Sequence, residues 1–311
     1  MFLSICIPSY NSGVKIERLL DSIQLQSFKD YEIIVSDDSS NNEVKSIVEQ
    51  KYPDLNIKYY HNKPALGTPA NWNNAVAKAN GEWIKLMHHD DWFLDENALQ
   101  QFVDHTDKEH SSKLIFCSFM NIDLDNHRSF VTKCSKLDIW LLKSNYLNLY
   151  KNFIGNPSCT LVSSRLKPYE YDKRIKWLID FDFYTWFFGK EKKFTYIGKP
   201  LIAFGLHASQ VTAQTKKNPV VEIPESFLLY DKYGISILKN IFVFDFFWRM
   251  YRNLELKNIQ QLESYLGFKN PYPVINSMIK MQNRVPSKAL HNGFVSKLLM
   301  LITYCKNRLF R

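Results

Sequence analysis

The sequence has no glycine-rich phosphate loop. Neither G-x-G-x-x-G nor G-x-x-x-x-G-K-[S/T] follows its first strand-like run, so an ordinary dinucleotide or Walker-type cradle is not supported. Acidic residues are missing from Ser264 to the end, where Lys269, Lys280, Arg284, Lys288, Lys297, Lys306, Arg308 and Arg311 stand unopposed. Residues 1–263 are nearly neutral, with 32 basic against 31 acidic residues, so the net charge of +9 belongs to the tail. A nucleic-acid binder, which would carry its charge beside its recognition surface, is not expected. The five cysteines, Cys6, Cys117, Cys134, Cys159 and Cys305, are far apart and form no C-x-x-C, which leaves reduced core thiols in a cytoplasmic protein. No apolar run approaches the ~20 residues of a membrane span. The nearest, Ile241 to Trp248, is broken by Asp245. The first strand begins within two residues of Met1, leaving no room before it for a signal peptide. Low-complexity tracts and internal repeats are also missing.

What is present is a large apolar inventory, 45% hydrophobic and 15% aromatic in 311 residues, enough for one big domain or two. The first hundred residues alternate strand and helix. Phe2 to Ile7 is a β-branched and aromatic run stopped by Pro8; Ile16, Leu19, Leu20 and Ile23 then fall at helical spacing. Tyr31 to Val35 predicts a second strand, Glu43 to Gln50 a helix, Ile57 to Tyr60 a third strand. Thr68 as N-cap and Pro69 at the first helical position predict a helix running to about Ala79. Trp83 to Met87 is an apolar run that ends without a gap in His88, His89, Asp90 and Asp91. Such alternation with short connections predicts a parallel, doubly wound sheet. Its strand ends at Pro8 to Asn11, Asp37-Asp38 and His88 to Asp91 then share one edge, where α/β sheets bind ligands. Adjacent carboxylates and imidazoles there suit a divalent cation against a phosphorylated substrate. The plainer reading is a polar strand-to-helix loop with Asp95 as helix N-cap.

Beyond Asp95 the pattern predicts a helix to Thr106, a strand over Leu114 to Met120, a turn-rich loop over Phe153 to Ser158 and a strand from Cys159 to Val162. The stretch Trp177 to Phe188 embeds Asp180 and Asp182 among aromatics. Apolar surroundings raise a carboxyl pKa, which suits a general base; helix capping or an ion pair is the competing reading. His207 follows a strand-like run through Ile202. In the tail, Phe294, Leu298, Leu301, Ile302, Cys305 and Leu309 share one face of a helical wheel, with Lys297, Arg308 and Arg311 elsewhere. This basic amphipathic helix suits either an anionic membrane surface or packing on the domain with its basic side in water.

Taken in order, Ser4-Ile-Cys-Ile-Pro-Ser-Tyr-Asn11, Tyr31-Glu-Ile-Ile-Val-Ser-Asp-Asp-Ser-Ser40, Leu66-Gly67 with Asn71-Trp-Asn73, and Gly81-Glu-Trp-Ile-Lys-Leu-Met-His-His-Asp-Asp91 resemble a family 2 glycosyltransferase over roughly residues 1–215. The resemblance implies the GT-A fold, α/β and Rossmann-like, with a mostly parallel central sheet flanked by helices. Residues 1–215 would form that domain and residues 216–311 a helical, basic extension. It implies that Pro8 and Tyr10 line a nucleotide base pocket, that Asp38 accepts a hydrogen bond from the base, and that Asn73, His88 and Asp90 also contact the nucleotide sugar. Asp90 would hold Mn²⁺ or Mg²⁺, with His207 as a second candidate, and Asp180 would deprotonate the acceptor hydroxyl. Three positions depart from the family pattern: His88 replaces the first Asp of the D-x-D motif, Ile179 replaces a Glu, and Trp72 replaces an Arg.

The implied activity is inverting transfer from a nucleoside-diphosphate sugar, UDP by resemblance, to a lipid-linked saccharide for surface polysaccharide. The expected place is the cytoplasmic face of the cell membrane, held through the basic C-terminal helices. A sugar nucleotidyltransferase and an inactive nucleotide-sugar-binding scaffold remain as alternatives.

Overall fold

The computed structural model describes residues 1–106, 112–126, 128–206 and 215–309. Strands β1 (Leu3–Ser9), β2 (Tyr31–Asp37), β3 (Ile57–His61) and β4 (Trp83–Leu86) alternate with helices α1 (Gly13–Gln24), α2 (Glu43–Lys51) and α3 (Ala70–Ala77). Every residue of β1, β2 and β4 is buried, which is why their apolar residues do not alternate with solvent-facing ones. β1 pairs in parallel with β2 on one side and β4 on the other, and β3 extends the parallel set beyond β2. Helix α1 turns Ile16, Leu19, Leu20 and Ile23 into the core beneath these strands. Gly81 lets β4 enter: a Cβ there would stand 2.6 Å from the Ser4 nitrogen.

The sheet is completed by β5 (Asp91–Phe93), β6 (Leu114–Asp123), β7 (Arg128–Thr132), β8 (Thr160–Ser163) and β9 (Thr195–Leu206), with α4 (Ala98–Asp104), α5 (Lys136–Ser144) and α6 (Ile179–Lys190) in the connections. The strand order is β3-β2-β1-β4-β8-β6-β9-β5, and β7 pairs with β6. The α/β sheet is thus parallel through β4 and mixed thereafter. β8 runs antiparallel to both β4 and β6, β9 parallel to β6, and β5 antiparallel to β9. This is the strand arrangement that departs from simple double winding: β8 enters between β4 and β6, a long-range pairing that local periodicity does not announce.

Two local expectations shift. Helix α3 starts at Ala70, with Pro69 rather than Thr68 flanking it. Asn97, not Asp95, precedes α4; the Asp95 carboxylate accepts from the Asn97 N–H and pairs with Lys199 at 2.9 Å.

The described chain forms two compact units. The first holds Met1–Lys143, Asn152–Lys173 and the stretch from Trp186 through β9. The second holds Ser144–Lys151, Arg174–Thr185 and the helical remainder. That remainder comprises α7 (Pro219–Tyr233), α8 (Ile241–Asn253), α9 (Ile259–Leu266), α10 (Pro273–Gln282), α11 (Ser287–Leu290) and α12 (Gly293–Leu309). Its core is aromatic, with Tyr230, Phe247, Trp248 and Tyr251 buried, and the Tyr251 hydroxyl satisfied by Ser226 and Tyr230. Asn240 caps α8 by accepting from the Phe242 and Val243 N–H groups.

Candidate active site

Because β1, β2 and β4 are parallel, Pro8-Ser9, Asp37-Asp38 and the Met87–Asp90 link lie at one edge of the sheet. The loops there are tied together. Asn11 donates its N–H to Ser39 Oγ and accepts from the Ser40 N–H. Asp37 is fully buried and structural: it accepts from the Ser39 N–H and from the Tyr59 hydroxyl at 2.6 Å. Asp38 receives the Leu66 N–H at 3.0 Å, the Gly67 N–H at 2.8 Å and Asn62 Nδ2 at 2.9 Å. Asn62 also bonds Asn71, which donates to the Ser9 carbonyl; the neighbouring Pro8 carbonyl meets His89 Nδ1 at 3.2 Å. Asp38, Pro8 and the histidine-aspartate link therefore belong to one connected network. Tyr10 stands at its rim, 58% exposed.

His88, Asp90 and Asp91 each offer a ligand atom, all within 4.8 Å of one another. His88 Nε2 is buried with no hydrogen-bond partner, and burial pushes this imidazole down to about 4, so it is a neutral ring at pH 7. A neutral imidazole with an open nitrogen is the form that binds a metal. Asp91 is raised well above the ordinary carboxylate range, first by burial and then by the adjacent Asp90 charge. Two neighbouring carboxylates and a neutral imidazole, whose Nδ1 stands 3.8 Å from Asp91 Oδ2, fit a divalent cation, whose charge would relieve that repulsion.

The supporting residues were not visible as such in the sequence. Asn156 donates Nδ2 to Asp91 Oδ2 at 2.8 Å and accepts the Ser158 N–H on its other end. Ser158 Oγ accepts the His88 N–H at 3.0 Å. The turn-rich composition of 153–158 was legible; its grip on Asp91 and His88 was not. Lys85, fully buried within β4, donates to the Ser158 and Thr160 carbonyls and lies 4.2 Å from the Phe102 ring centroid. Burial lowers its pKa to about 8. Arg18, from α1, stacks 3.7 Å over Trp92 and donates to the Asp90 carbonyl at 3.2 Å.

Two of the departures from the family pattern meet. The Trp72 ring packs on His88 at 4.7 Å, and Tyr171 meets Trp72 edge-on at 5.3 Å. Asn73 directs both ends of its amide to the Tyr171 backbone, at 2.8 Å each, so it holds the Tyr171 segment beneath the ring pair. His207 lies outside the described residues.

Asp180 belongs to the second unit, at the start of α6. The segment before it is fixed by the buried Glu225, whose carboxylate accepts the N–H groups of Lys176, Trp177 and Leu178. Asp182 carries the structural role: it pairs with Lys232 at 2.6 Å and accepts from the Tyr233 hydroxyl. Asp180 makes no hydrogen bond or ion pair among the described residues, and burial pushes it up to about 7.

A sheet edge with tied loops, an acidic-imidazole cluster after β4 and helices beyond is the arrangement of a GT-A fold. The chain belongs to Glycosyl transferase family 2, whose pattern matches residues 4–199. Among curated proteins it is similar to the GalNAc(5)-diNAcBac-PP-undecaprenol beta-1,3-glucosyltransferase of Campylobacter jejuni, 42% identical over 94 residues. That match covers 30% of this chain and 30% of that protein. Among solved structures, TarS 1-349 of S. aureus in complex with UDP-GlcNAc superposes with a TM-score of 0.59 at 16% identity, covering 97% of this chain and 79% of that one. The mannosyltransferase PcManGT of Pyrobaculum calidifontis, solved with GDP-Man and Mn²⁺, gives 0.54 at 15% identity, covering 99% and 87%. At these identities the structures establish the fold.

Proposed function

We propose that this protein is an inverting glycosyltransferase that moves a sugar from a nucleoside-diphosphate sugar, with uridine as the base, to a hydroxyl of a lipid-linked saccharide in surface-polysaccharide assembly. The observation that carries the reading is the His88–Asp90–Asp91 cluster at the end of β4, in a chain of this family. Pro8, Tyr10 and Asp38 are assigned to the nucleotide, and His88, Asp90 and Asp91 to a divalent cation, Mn²⁺ or Mg²⁺. A cation bound there supplies charge stabilisation for the leaving diphosphate. Asp180 is assigned as the base: a carboxylate with no bonding partner among the described residues and a pKa raised to about 7 is free to take a proton near neutrality. Asn73 acts through Tyr171 and positions the Trp72–His88 pair. The lipid-linked acceptor draws on the name of the Campylobacter relative, which is a transferase to an undecaprenol-linked saccharide. Residues 1–215 are assigned the transfer chemistry and residues 216–311 attachment to the cytoplasmic face of the membrane. The attachment is assigned as peripheral; no helix among the described residues is long and apolar enough to cross a membrane.

The test is a pair of variants assayed for UDP-sugar binding by thermal shift, with and without Mn²⁺, and for transfer. Asp180→Asn is expected to bind donor as the parent does while transfer falls on the order of 10²–10⁴-fold, the usual contribution of a general base. Asp90→Asn is expected to lose the Mn²⁺-dependent part of donor binding. Full transfer by Asp180→Asn would remove the base assignment, and Mn²⁺-independent binding by the parent would remove the cation.

A further inference from the structure

A helix on the outside of a soluble protein ordinarily turns its apolar stripe inward. Helix α12 does the reverse. Its inward face is Ser296, Met300 and Thr303, and Ser296 Oγ accepts from Trp248 Nε1 and Arg252 Nη1, both at 3.1 Å. Its apolar stripe, Phe294, Leu298, Leu301 and Ile302, faces out, with exposures of 78, 48, 39 and 38%. The helix is held by these hydrogen bonds, by the buried Met300 and by the Tyr304 ring against Phe244, and leaves the stripe uncovered.

Between α10 and α12 lies a groove of about 480 Å³, lined by Ser277, Lys280, Arg284, Thr303, Lys306 and Asn307; its Lys306 stands one helical turn from Ile302, at the edge of the stripe. None of the three cations forms an ion pair with a described residue, in contrast to Lys297 on the opposite flank, which is held by Asp245 at 2.7 Å. No acidic residue follows Glu263 in the chain, so this positive groove has no local counter-charge in its own sequence.

Two occupants could cover an exposed apolar helix face of this kind: a second copy or a bilayer. Two copies meeting through the stripe with their α12 helices antiparallel would set the Lys280, Arg284 and Lys306 flank of each beside the same flank of the other, with no acid in the groove to offset them. A bilayer bearing anionic lipids offers acyl chains to the stripe and phosphates to the flank at the same time. A seventeen-residue helix with cations at the edge of an apolar face has the form of one that lies in an interface plane.

We propose that α12 docks flat on an anionic bilayer, with Phe294, Leu298, Leu301 and Ile302 at the acyl boundary and a lipid phosphate bound in the Lys280–Arg284–Lys306 groove. The proposal sharpens the membrane attachment assigned above and rests on that part of the reading, not on the transfer chemistry.

The experiment is flotation of the full chain with vesicles of phosphatidylcholine alone or mixed with phosphatidylglycerol, at low and high salt. Parent protein is expected to float with the mixed vesicles only. K280Q/R284Q/K306Q is expected to bind them on the order of a hundredfold more weakly, each cation at an anionic surface contributing roughly fivefold. L298S/I302S is expected to be released by salt that leaves the parent bound. K269Q/K288Q, which changes exposed cations outside the groove, is expected to lose much less per charge than the groove variant. Equal loss per charge in the two sets overturns the groove, and no binding by the parent, with a dimer by light scattering that L298S/I302S abolishes, overturns the bilayer in favour of a second copy. Circular dichroism confirms that each variant is folded. Donor hydrolysis in solution, unchanged in these variants, is read separately, so a failed docking and a failed glycosyltransferase assignment give different results.

Discussion

Asp180 and Asp182 stand two positions apart at the start of α6, where the sequence presents them as equals. The fold separates them: Asp182 is consumed by Lys232 and Tyr233, while Asp180 is left to burial alone. A carboxyl whose folded pKa lies above its unfolded value of about 3.9 loses stability as pH rises through that window, because the unfolded chain releases the proton more readily. Above pH 7, Asp180→Asn is therefore expected to melt at a higher temperature than the parent, and below pH 4 at the same temperature. Transfer by the parent is expected to rise with pH and reach half its plateau near 7, a profile that a structural carboxyl would not impose. At the other cluster, Asn156 is the residue to change. Its side chain joins the Asp91 carboxylate to the Ser158 N–H, so Asn156→Ala is expected to weaken Mn²⁺ binding by about 10–100-fold, as loss of an outer-shell partner does, with a thermal-shift titration as the readout. The grip of Asn156 on Asp91 and the pairing that singles out Asp182 could not be read in advance, since they depend on side chains 65 and 50 residues away in sequence.

At the level of elements, the parallel half was the legible half. β1, β2 and β4 are buried on both faces, so their composition alone marks them, and their ends carry the polar clusters that a parallel sheet must gather at one edge. β8 was legible as a strand but not in its place, because four residues carry no signal that they will insert between β4 and β6. Helix α12 shows a different limit. A helical wheel tells which residues share a face; it does not tell which face is packed, and here two buried hydroxyls won over a stripe of leucine and phenylalanine. One close junction between elements is Gly81, whose missing Cβ lets β4 run against the Ser4 backbone. Gly81→Ala is expected to cost about 1–3 kcal/mol, the usual penalty for overpacking, measured as a fall in the denaturant midpoint with the slope unchanged.

For the whole molecule, composition located the charge asymmetry correctly but not its use. The acid-free tail does not form a diffuse cationic surface: Lys297 is neutralised by Asp245, and Lys280, Arg284 and Lys306 are gathered on one groove. In the same way the positions that break the family pattern looked independent in sequence, yet the Trp72 and His88 rings pack against each other, so replacing either removes a contact of the other. Chain order hides such pairings because the contact that gives each residue its meaning is supplied by a different element.

The loop that grips Asp38 carries a last consequence, for the choice of nucleobase. A carboxylate offers about four acceptor directions, and three at Asp38 are already filled by Leu66, Gly67 and Asn62. One remains, and it can only receive a proton. A ring presenting N–H at that point, as uracil and guanine do, completes the set; cytosine or adenine would set a lone pair against a negative charge. On the proposed assignment of Asp38 to the base, the protein would sort donors by the polarity of a single ring atom.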